Sequence, residues 1–339
     1  MSIAEAVRLC PQATFFQGAF AHYWEASHAV RAVLEDFSPT VVMASLDEAY
    51  LDFGGTERHY PVSLLPVAEE LRDQVKARTG LDASVGIGPN RMIAKIASDY
   101  AKPRGLMEVR AGWEAGFLAG LPLSALPGVG PRTAERWGQL GLVDVDQVQQ
   151  MEERQLARLI GADARHLKMR AHGRGGTVLR QQRLPKSVSR ETTLSRDLRD
   201  AHELERILAW LTSRVAAQLR DEQIVARSIT LKLRHDDFRT VTRRQTLTVA
   251  TDLDAEIYEV ARGLFRRAFD DVRRRNRGVR LVGVAATNLG TAAEEDLFES
   301  PQRVRLRHLT EAVDKVREKF GFDAVLPGFI TERQRKPRQ

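Results

Sequence analysis

The chain has 339 residues, 43% hydrophobic and 29% charged, with a net charge of +7, which suits two or three globular domains with cores of their own. No apolar run reaches the ~18 residues of a membrane-spanning helix, and the opening "MSIAEAVRLC" lacks the basic-then-apolar order of a secretory signal, so no membrane contact is expected. Cys10 is the only cysteine, which excludes an intrachain disulfide and a multi-cysteine zinc site and suits a reducing cytoplasm.

Taken in chain order, the segment around Tyr23 to Phe37 predicts a helix, and "VVMASL" and "AYLDFGG" predict two strands, the second closed by Gly54 and Gly55. "PVSLLPVAEELRDQVKARTG" is an amphipathic helix that should end at Gly80. "ASVGIG" is a strand, "PNRMIAKIASDYAK" a helix stopped by Pro103, and "GLMEV" a last short strand. Helix, two strands, helix, strand, helix, strand is an α+β order. From Leu121 the character changes. "LPGVGPRTAERWGQLGL" is turn-rich and then helical, and no strand-like alternation follows up to about His172, so a small helical domain is expected. "RGGTVLRQQRLPK" reads as a basic linker.

A third module repeats an α+β order. "SRETTL" is a strand, and Leu204, Ile207, Leu208, Leu211, Val215 and Leu219 recur at helical spacing. "SITLKLRH" alternates Ile229, Leu231 and Leu233 with Thr230, Lys232 and Arg234, a strand with one apolar and one basic face. "RRQTLTV" is similar, a helix runs through Leu264 and Phe265, and "VRLVGVAATNL" closes the module. The β-α-β-β-α-β order predicts a ferredoxin-like unit with helices on one sheet face and the other face open to a ligand. Leu306 to Phe320 is one more helix in a polar tail.

The charge is unevenly spread. Residues 1–110 hold 11 basic and 14 acidic side chains, residues 111–185 hold 10 and 7, and residues 186–290 hold 21 and 15. An acidic first third followed by basic modules suggests chemistry at one end and polyanion binding beyond it. A solvated arginine-rich surface would give the same totals.

The acidic third contains an oddity: Asp47 and Glu48 interrupt an apolar stretch. Neighbours in a regular strand point to opposite faces, so both carboxylates can serve one site only if the strand ends or turns there. Two converging carboxylates repel, and a proton or a cation relieves this. Mg²⁺ is the natural cation, since it is held by one or two carboxylates together with substrate phosphates. A bare Asp-Glu pair is more often a solvated turn.

The longer pattern is more specific. "SLDEAYLD" resembles the signature of the Y-family translesion DNA polymerases, and three further stretches resemble that family in order and spacing: "VGIGPNRMIAKIASDYAKPRGL", "LPGVGPRTAERWGQLGL" and "KSVSRETTL". The resemblance runs from Met1 to about Leu289. It implies an α+β multidomain chain: residues 1–20 as a remnant of the fingers, 21–110 an incomplete ferredoxin-like palm, 111–173 a helical thumb with a helix-hairpin-helix, 174–185 a linker, 186–290 a ferredoxin-like little-finger domain, and 291–339 a tail.

The resemblance also implies roles. Asp47 would ligate both Mg²⁺ ions of the family site, and Glu48 the one that activates the primer hydroxyl. Lys102 would bind the incoming deoxynucleoside triphosphate, and Lys95, two helical turns earlier, would add positive potential or lie on the surface as an ordinary lysine. Gly128, Val129 and Gly130, with Arg132, would bind the backbone of primer-template DNA without reading sequence, as helix N-termini bind phosphate. Lys186, Ser187, Ser189, Arg190 and Arg280 would contact DNA from the third module, while the arginine-rich stretch Arg273 to Gly278 reads equally well as a solvated loop. Leu297 and Phe298, in "EEDLFES", resemble a sliding-clamp-binding peptide whose usual leading Gln is replaced by Glu294. A monomer is expected.

One family feature has no match. The first 40 residues contain no run like the family's opening strand with its metal-binding Asp and paired aromatics. The expectation is therefore that Met1 corresponds to an internal methionine of a longer protein, and that the chain as written lacks one of three metal carboxylates and normal polymerase activity.

Overall fold

The structure, a computed structural model, describes residues 3–56, 58, 63–179, 184–274, 276–291 and 300–326. It divides into two compact units, residues 1–181 and 182–339, and the division falls inside the predicted linker. Among the described residues no helix is long and apolar enough to cross a membrane.

The first unit opens with α1 (Ile3–Leu9) and α2 (Phe20–Glu35), followed by β1 (Val41–Met43), β2 (Ala49–Leu51), α3 (Leu65–Thr79), β3 (Val85–Ile87), α4 (Arg91–Tyr100) and β4 (Leu106–Glu108). From α2 onward the predicted order holds, with α1 as an additional helix before it, and Gly80, at φ +71°, ends α3 as expected. The strands are shorter than the sequence suggests and form two separate two-stranded sheets, β1 antiparallel to β2 and β3 parallel to β4. No residue of these four strands is fully buried. Val33 and Leu34 of α2 and Leu71 and Val75 of α3 form a small core against Val41, Met43, Ala49, Leu51 and Val85. By contrast, the α1–α2 region leaves Ile3, Phe15, Phe16, Phe20, Tyr23 and Trp24 exposed, Phe16 by 89%.

Helix α4 looks the other way. Asn90 caps it by accepting from the amides of Met92 and Ile93 at 3.1 Å each, a bond that satisfies otherwise orphaned donors. Ile93, Ile96 and Ala97 then enter a second core with Leu118, Leu123, Leu126, Trp137, Leu142, Val145, Leu156 and Leu167. That core is built on α5 (Glu114–Ala119), α6 (Pro131–Gly138), α7 (Val145–Gln150), α8 (Glu153–Ile160) and α9 (Asp163–Ala171), the predicted helical segment. Gly86 of β3 is why α4 can lie so close to its strand: a Cβ there would sit 2.1 Å from the Ala94 carbonyl oxygen.

The second unit contains β5 (Ser187–Leu198), α10 (Ala201–Asp221), β6 (Ile224–His235), β7 (Thr240–Thr251), α11 (Asp254–Arg274), β8 (Val279–Thr291) and α12 (Pro301–Phe320). Here one expectation fails. The β-α-β-β-α-β order is present, but the sheet runs β5-β8-β6-β7 with every neighbouring pair antiparallel. A ferredoxin-like sheet has its first and third strands in the middle, and this one has its second and fourth. The reason is visible in burial. β6 and β8 supply Ile229, Leu231, Leu233, Val282, Val284 and Ala286, all at most 1% exposed, whereas β5 and β7 are polar and mostly exposed. The two apolar strands take the two central places, where α10 and α11 bury them.

Alternation on β6 then leaves Thr230, Lys232 and Arg234 on the face away from the helices. The register sets Ser187, Ser189 and Glu191 of β5 and Thr242, Arg244 and Thr246 of β7 on that same open face. Helix α12, capped by Ser300, starts five residues before the predicted tail helix and is held largely by charge. Arg220 bonds Asp254 and Asp314, and Arg303 bonds Glu256 and the Ala250 carbonyl.

Candidate active site

The carboxylate pair lies where the first strand has already ended. β1 stops at Met43, β2 starts at Ala49, and Met43 pairs with Ala49, so residues 44–48 form a hairpin loop. Ser45 shapes that loop. Its hydroxyl donates to Asp47 Oδ1 at 2.6 Å and accepts the Glu48 amide at 3.1 Å, a local side-chain-to-backbone pattern that replaces strand pairing. The loop removes the strict opposition of neighbouring strand residues. Asp47 is exposed, and Glu48 is partly covered because it reaches α4.

There, the Lys95 ammonium donates to Glu48 Oε1 and also lies 3.3 Å from the Asp99 carboxylate. Asp99 in turn accepts from Lys102 Nζ at 2.7 Å. Glu48, Lys95, Asp99 and Lys102 thus form one chain of alternating charge. The hydrogen bond to Glu48 pushes the Lys95 pKa up; partial burial opposes it and Asp99 adds to it. At Asp99, burial acts to raise the pKa, but the bonds from Lys102 and Lys95 outweigh it and hold the carboxyl below its ordinary value. Asp99 did not stand out in the sequence, although its position, i+4 from Lys95 and i−3 from Lys102, is a legible ion-pair spacing.

Beside this relay lies a cleft of about 730 Å³ lined by Tyr50, Arg91, Lys95, Arg136, Arg170 and Arg174 among others. Arg91 stacks on the Tyr50 ring at 4.5 Å. The Gly128–Gly130 turn borders the cleft, with Gly128 at φ +89° and exposed, Val129 buried, and Gly130 at the N-cap of α6, where no side chain caps the helix. The helix before this turn is only a three-residue 3₁₀ segment, Leu123–Ala125. Arg132 is exposed on the first turn of α6. Arg170, also unremarked in the sequence, is half-buried and makes no ion pair among the described residues; burial pushes its pKa down. Gly128→Ala is expected to cost of order 1–3 kcal/mol through backbone strain alone, because the added Cβ would lie an ordinary 3.7 Å from Arg170. Urea unfolding of the two proteins measures this.

In the second unit, Lys186, Ser187 and Ser189 are exposed, and the two serines share the open face with Lys232 and Arg244. Arg190 is exposed too, but it pairs with Val284 on the helix-bearing side. Arg280 is committed elsewhere. It bonds Asp197 at 3.0 and 3.3 Å and stacks on Phe238 at 4.7 Å. Leu297 and Phe298 lie outside the described residues.

Among the described residues no third His, Cys, Asp or Glu joins Asp47 and Glu48 in a cluster able to hold a metal. In donor type the pair suits a hard divalent cation, two carboxylates on one loop, although the Lys95 ammonium already occupies Glu48.

The fold and the sequence together define a class. Residues 1–99 match the impB/mucB/samB family and residues 185–297 match that family's C-terminal domain. The chain belongs to this family, the Y-family polymerases. It is similar to proteins named DNA polymerase IV: 36% identical over 330 residues to that of Caulobacter vibrioides, covering 97% of this chain and 80% of the relative. The Dehalococcoides mccartyi protein (strain CBDB1) is 35% identical, covering 97% and 83%, and that of Treponema denticola 32%, covering 99% and 84%. In fold it is similar to a Y-family DNA polymerase chimera, Dbh-Dpo4(243-245)-Dbh, with a TM-score of 0.72 at 24% identity, covering 85% of this chain and 82% of the other. A DinB family error prone DNA polymerase from Sulfolobus solfataricus gives 0.55 at 22%, covering 85% and 84%.

Proposed function

We propose that the protein is a DNA-directed DNA polymerase of the error-prone lesion-bypass type, acting in DNA damage tolerance, a cytoplasmic monomer that extends primer-template DNA with deoxynucleoside triphosphates. The observation that carries this reading is the Asp47–Glu48 hairpin loop set against the lysine-bearing helix α4, in a chain of this family. Asp47 and Glu48 would hold Mg²⁺, which would supply Lewis-acid stabilisation of the charge that develops in the phosphoryl transfer. In the family's two-ion site Asp47 would serve both ions and Glu48 one of them. Lys102, a point charge 61% exposed and paired with Asp99, binds the triphosphate, and Lys95 adds potential beside it. The Gly128–Gly130 turn, with Arg132, holds a DNA phosphate through backbone amides, and Arg136, Arg170 and Arg174 make the adjoining cleft attractive to the same strand. In the second unit, Ser187 and Ser189 meet the DNA backbone from the open sheet face, and the exposed Lys186 meets it from just before β5. Arg190 acts from the edge strand, and Arg280 shapes the far end of the face through Asp197. Leu297 and Phe298 are the proposed sliding-clamp contact.

A second reading, DNA binding with little catalysis, is favoured by two observations: among the described residues no third ligand joins the two carboxylates, and the surrounding strands form two separate small sheets. Primer extension by the 339-residue chain, with Mg²⁺ and all four nucleotides, separates the two. Extension that needs Mg²⁺ and is lost in D47A supports the polymerase. DNA binding without extension supports the second reading, and cleavage of DNA without nucleotides would sink both.

A further inference from the structure

The lysine against Glu48 has a second consequence. Its ammonium lies between two carboxylates, Glu48 from the hairpin loop and Asp99 one helical turn further along α4. The side chain is only 26% exposed, so it has few other places to go. Two acceptors within reach of one ammonium make a two-position device: the charge rests on both, and leaving one strengthens the other. Glu48 is also one of the two carboxylates that fit a divalent cation. A cation and the ammonium cannot both use the same oxygen.

We infer that Lys95 is a built-in counter-ion for Glu48, which an arriving divalent cation displaces onto Asp99. This rests on the reading of Asp47 and Glu48 as metal ligands and goes beyond it by making Lys95 a positioning residue for Glu48, besides the potential it adds near the triphosphate, and Asp99 its station. In the metal-free protein the ammonium keeps the loop carboxylate oriented toward α4 and relieves the repulsion between Asp47 and Glu48. The cost is weaker metal affinity, since every binding event must first move Lys95. Asp99 lowers that cost by accepting the ammonium, though Lys102 competes for the same carboxylate.

The test is Mn²⁺ binding to the full chain without nucleotide, read from the loss of the free-ion EPR signal. K95M is expected to bind Mn²⁺ about ten-fold more tightly, within the range usual for a coupling between two ligands. R91M removes a cation from the same helix, one turn earlier, that stacks on Tyr50 and does not pair with Glu48; it should stay within about two-fold of wild type. In an E48Q background the K95M gain should vanish. D99N should weaken Mn²⁺ binding in the wild type and have no further effect in K95M. Equal gains from K95M and R91M would mean that general charge, not a seat on Glu48, is responsible, and would overturn the proposal. So would K95M matching wild type while E48Q weakens binding, an outcome that leaves the metal-site reading intact. If E48Q does not weaken binding, both readings fall. An equal D99N loss in both backgrounds overturns the role of Asp99. Thermal unfolding of each variant shows that it is folded, and K95R, which keeps the charge, should behave as wild type.

Discussion

Asp47→Asn is expected to lower Mg²⁺-dependent primer extension by roughly 10²- to 10⁴-fold, the several kcal/mol that metal stabilisation of the transferring phosphoryl group supplies. The substitution is chosen for what it leaves in place. Asparagine has the same shape, and its amide oxygen can still accept the Ser45 hydroxyl that now bonds Asp47 Oδ1 at 2.6 Å. Asp47 is exposed and belongs to none of the buried clusters. Stability and DNA affinity should therefore stay close to wild type while the rate falls. The measurements are single-turnover extension, thermal unfolding and DNA binding by anisotropy on the same preparations. A rate within ten-fold of wild type would show that Asp47 is not a metal ligand in this chain.

Arg220→Ala is expected to destabilise the second unit by about 1.5–3 kcal/mol, because it removes the charge-assisted hydrogen bonds of a largely buried guanidinium to two partly exposed carboxylates. Arg220 is 13% exposed and joins three segments. It bonds Asp314 of α12 at 2.5 and 3.0 Å, Asp254 at the start of α11 at 2.8 Å, and the Asp252 carbonyl at 2.6 Å. Burial works to lower its pKa, and the bonds to Asp314 and Asp254 outweigh that and raise it. Arg317 lies 3.7 Å from both of the same aspartates and stacks on Phe322 at 4.2 Å, so the network would be weakened rather than emptied. Helix α12 should loosen first. Hydrogen exchange would show lost protection over Pro301–Phe320 at mild urea, before the β6 and β8 core opens. Simultaneous loss across the whole unit would mean that α12 and the sheet form one cooperative block.

Much of this architecture was legible in the residues. Helical spacing located α10 and α11, because the apolar stripe at 204, 208, 211, 215 and 219 had one core to face. The alternation in "SITLKLRH" gave both β6 and the direction of its basic side. Gly80 marked the end of α3, and "SLDEAYLD" marked the carboxylate loop and the family. These signals are local: each depends on a few neighbours in the chain, which the sequence contains whole.

What the sequence left open was every feature that depends on contacts between distant segments. The strand order β5-β8-β6-β7 was missed because the β-α-β-β-α-β order is compatible with more than one sheet, although the polar character of β5 and β7 was a readable hint that they are edges. The pairing of Lys95 with Glu48 spans 47 positions, and no local pattern announces it. Arg170 beside Gly128, and the seating of α12 on Arg220, are of the same kind. Sequence by itself determined the elements, the carboxylate loop and the family of this protein. Only the tertiary structure decided that a lysine from α4 rests on that loop, because which charges meet depends on how the helices and strands pack.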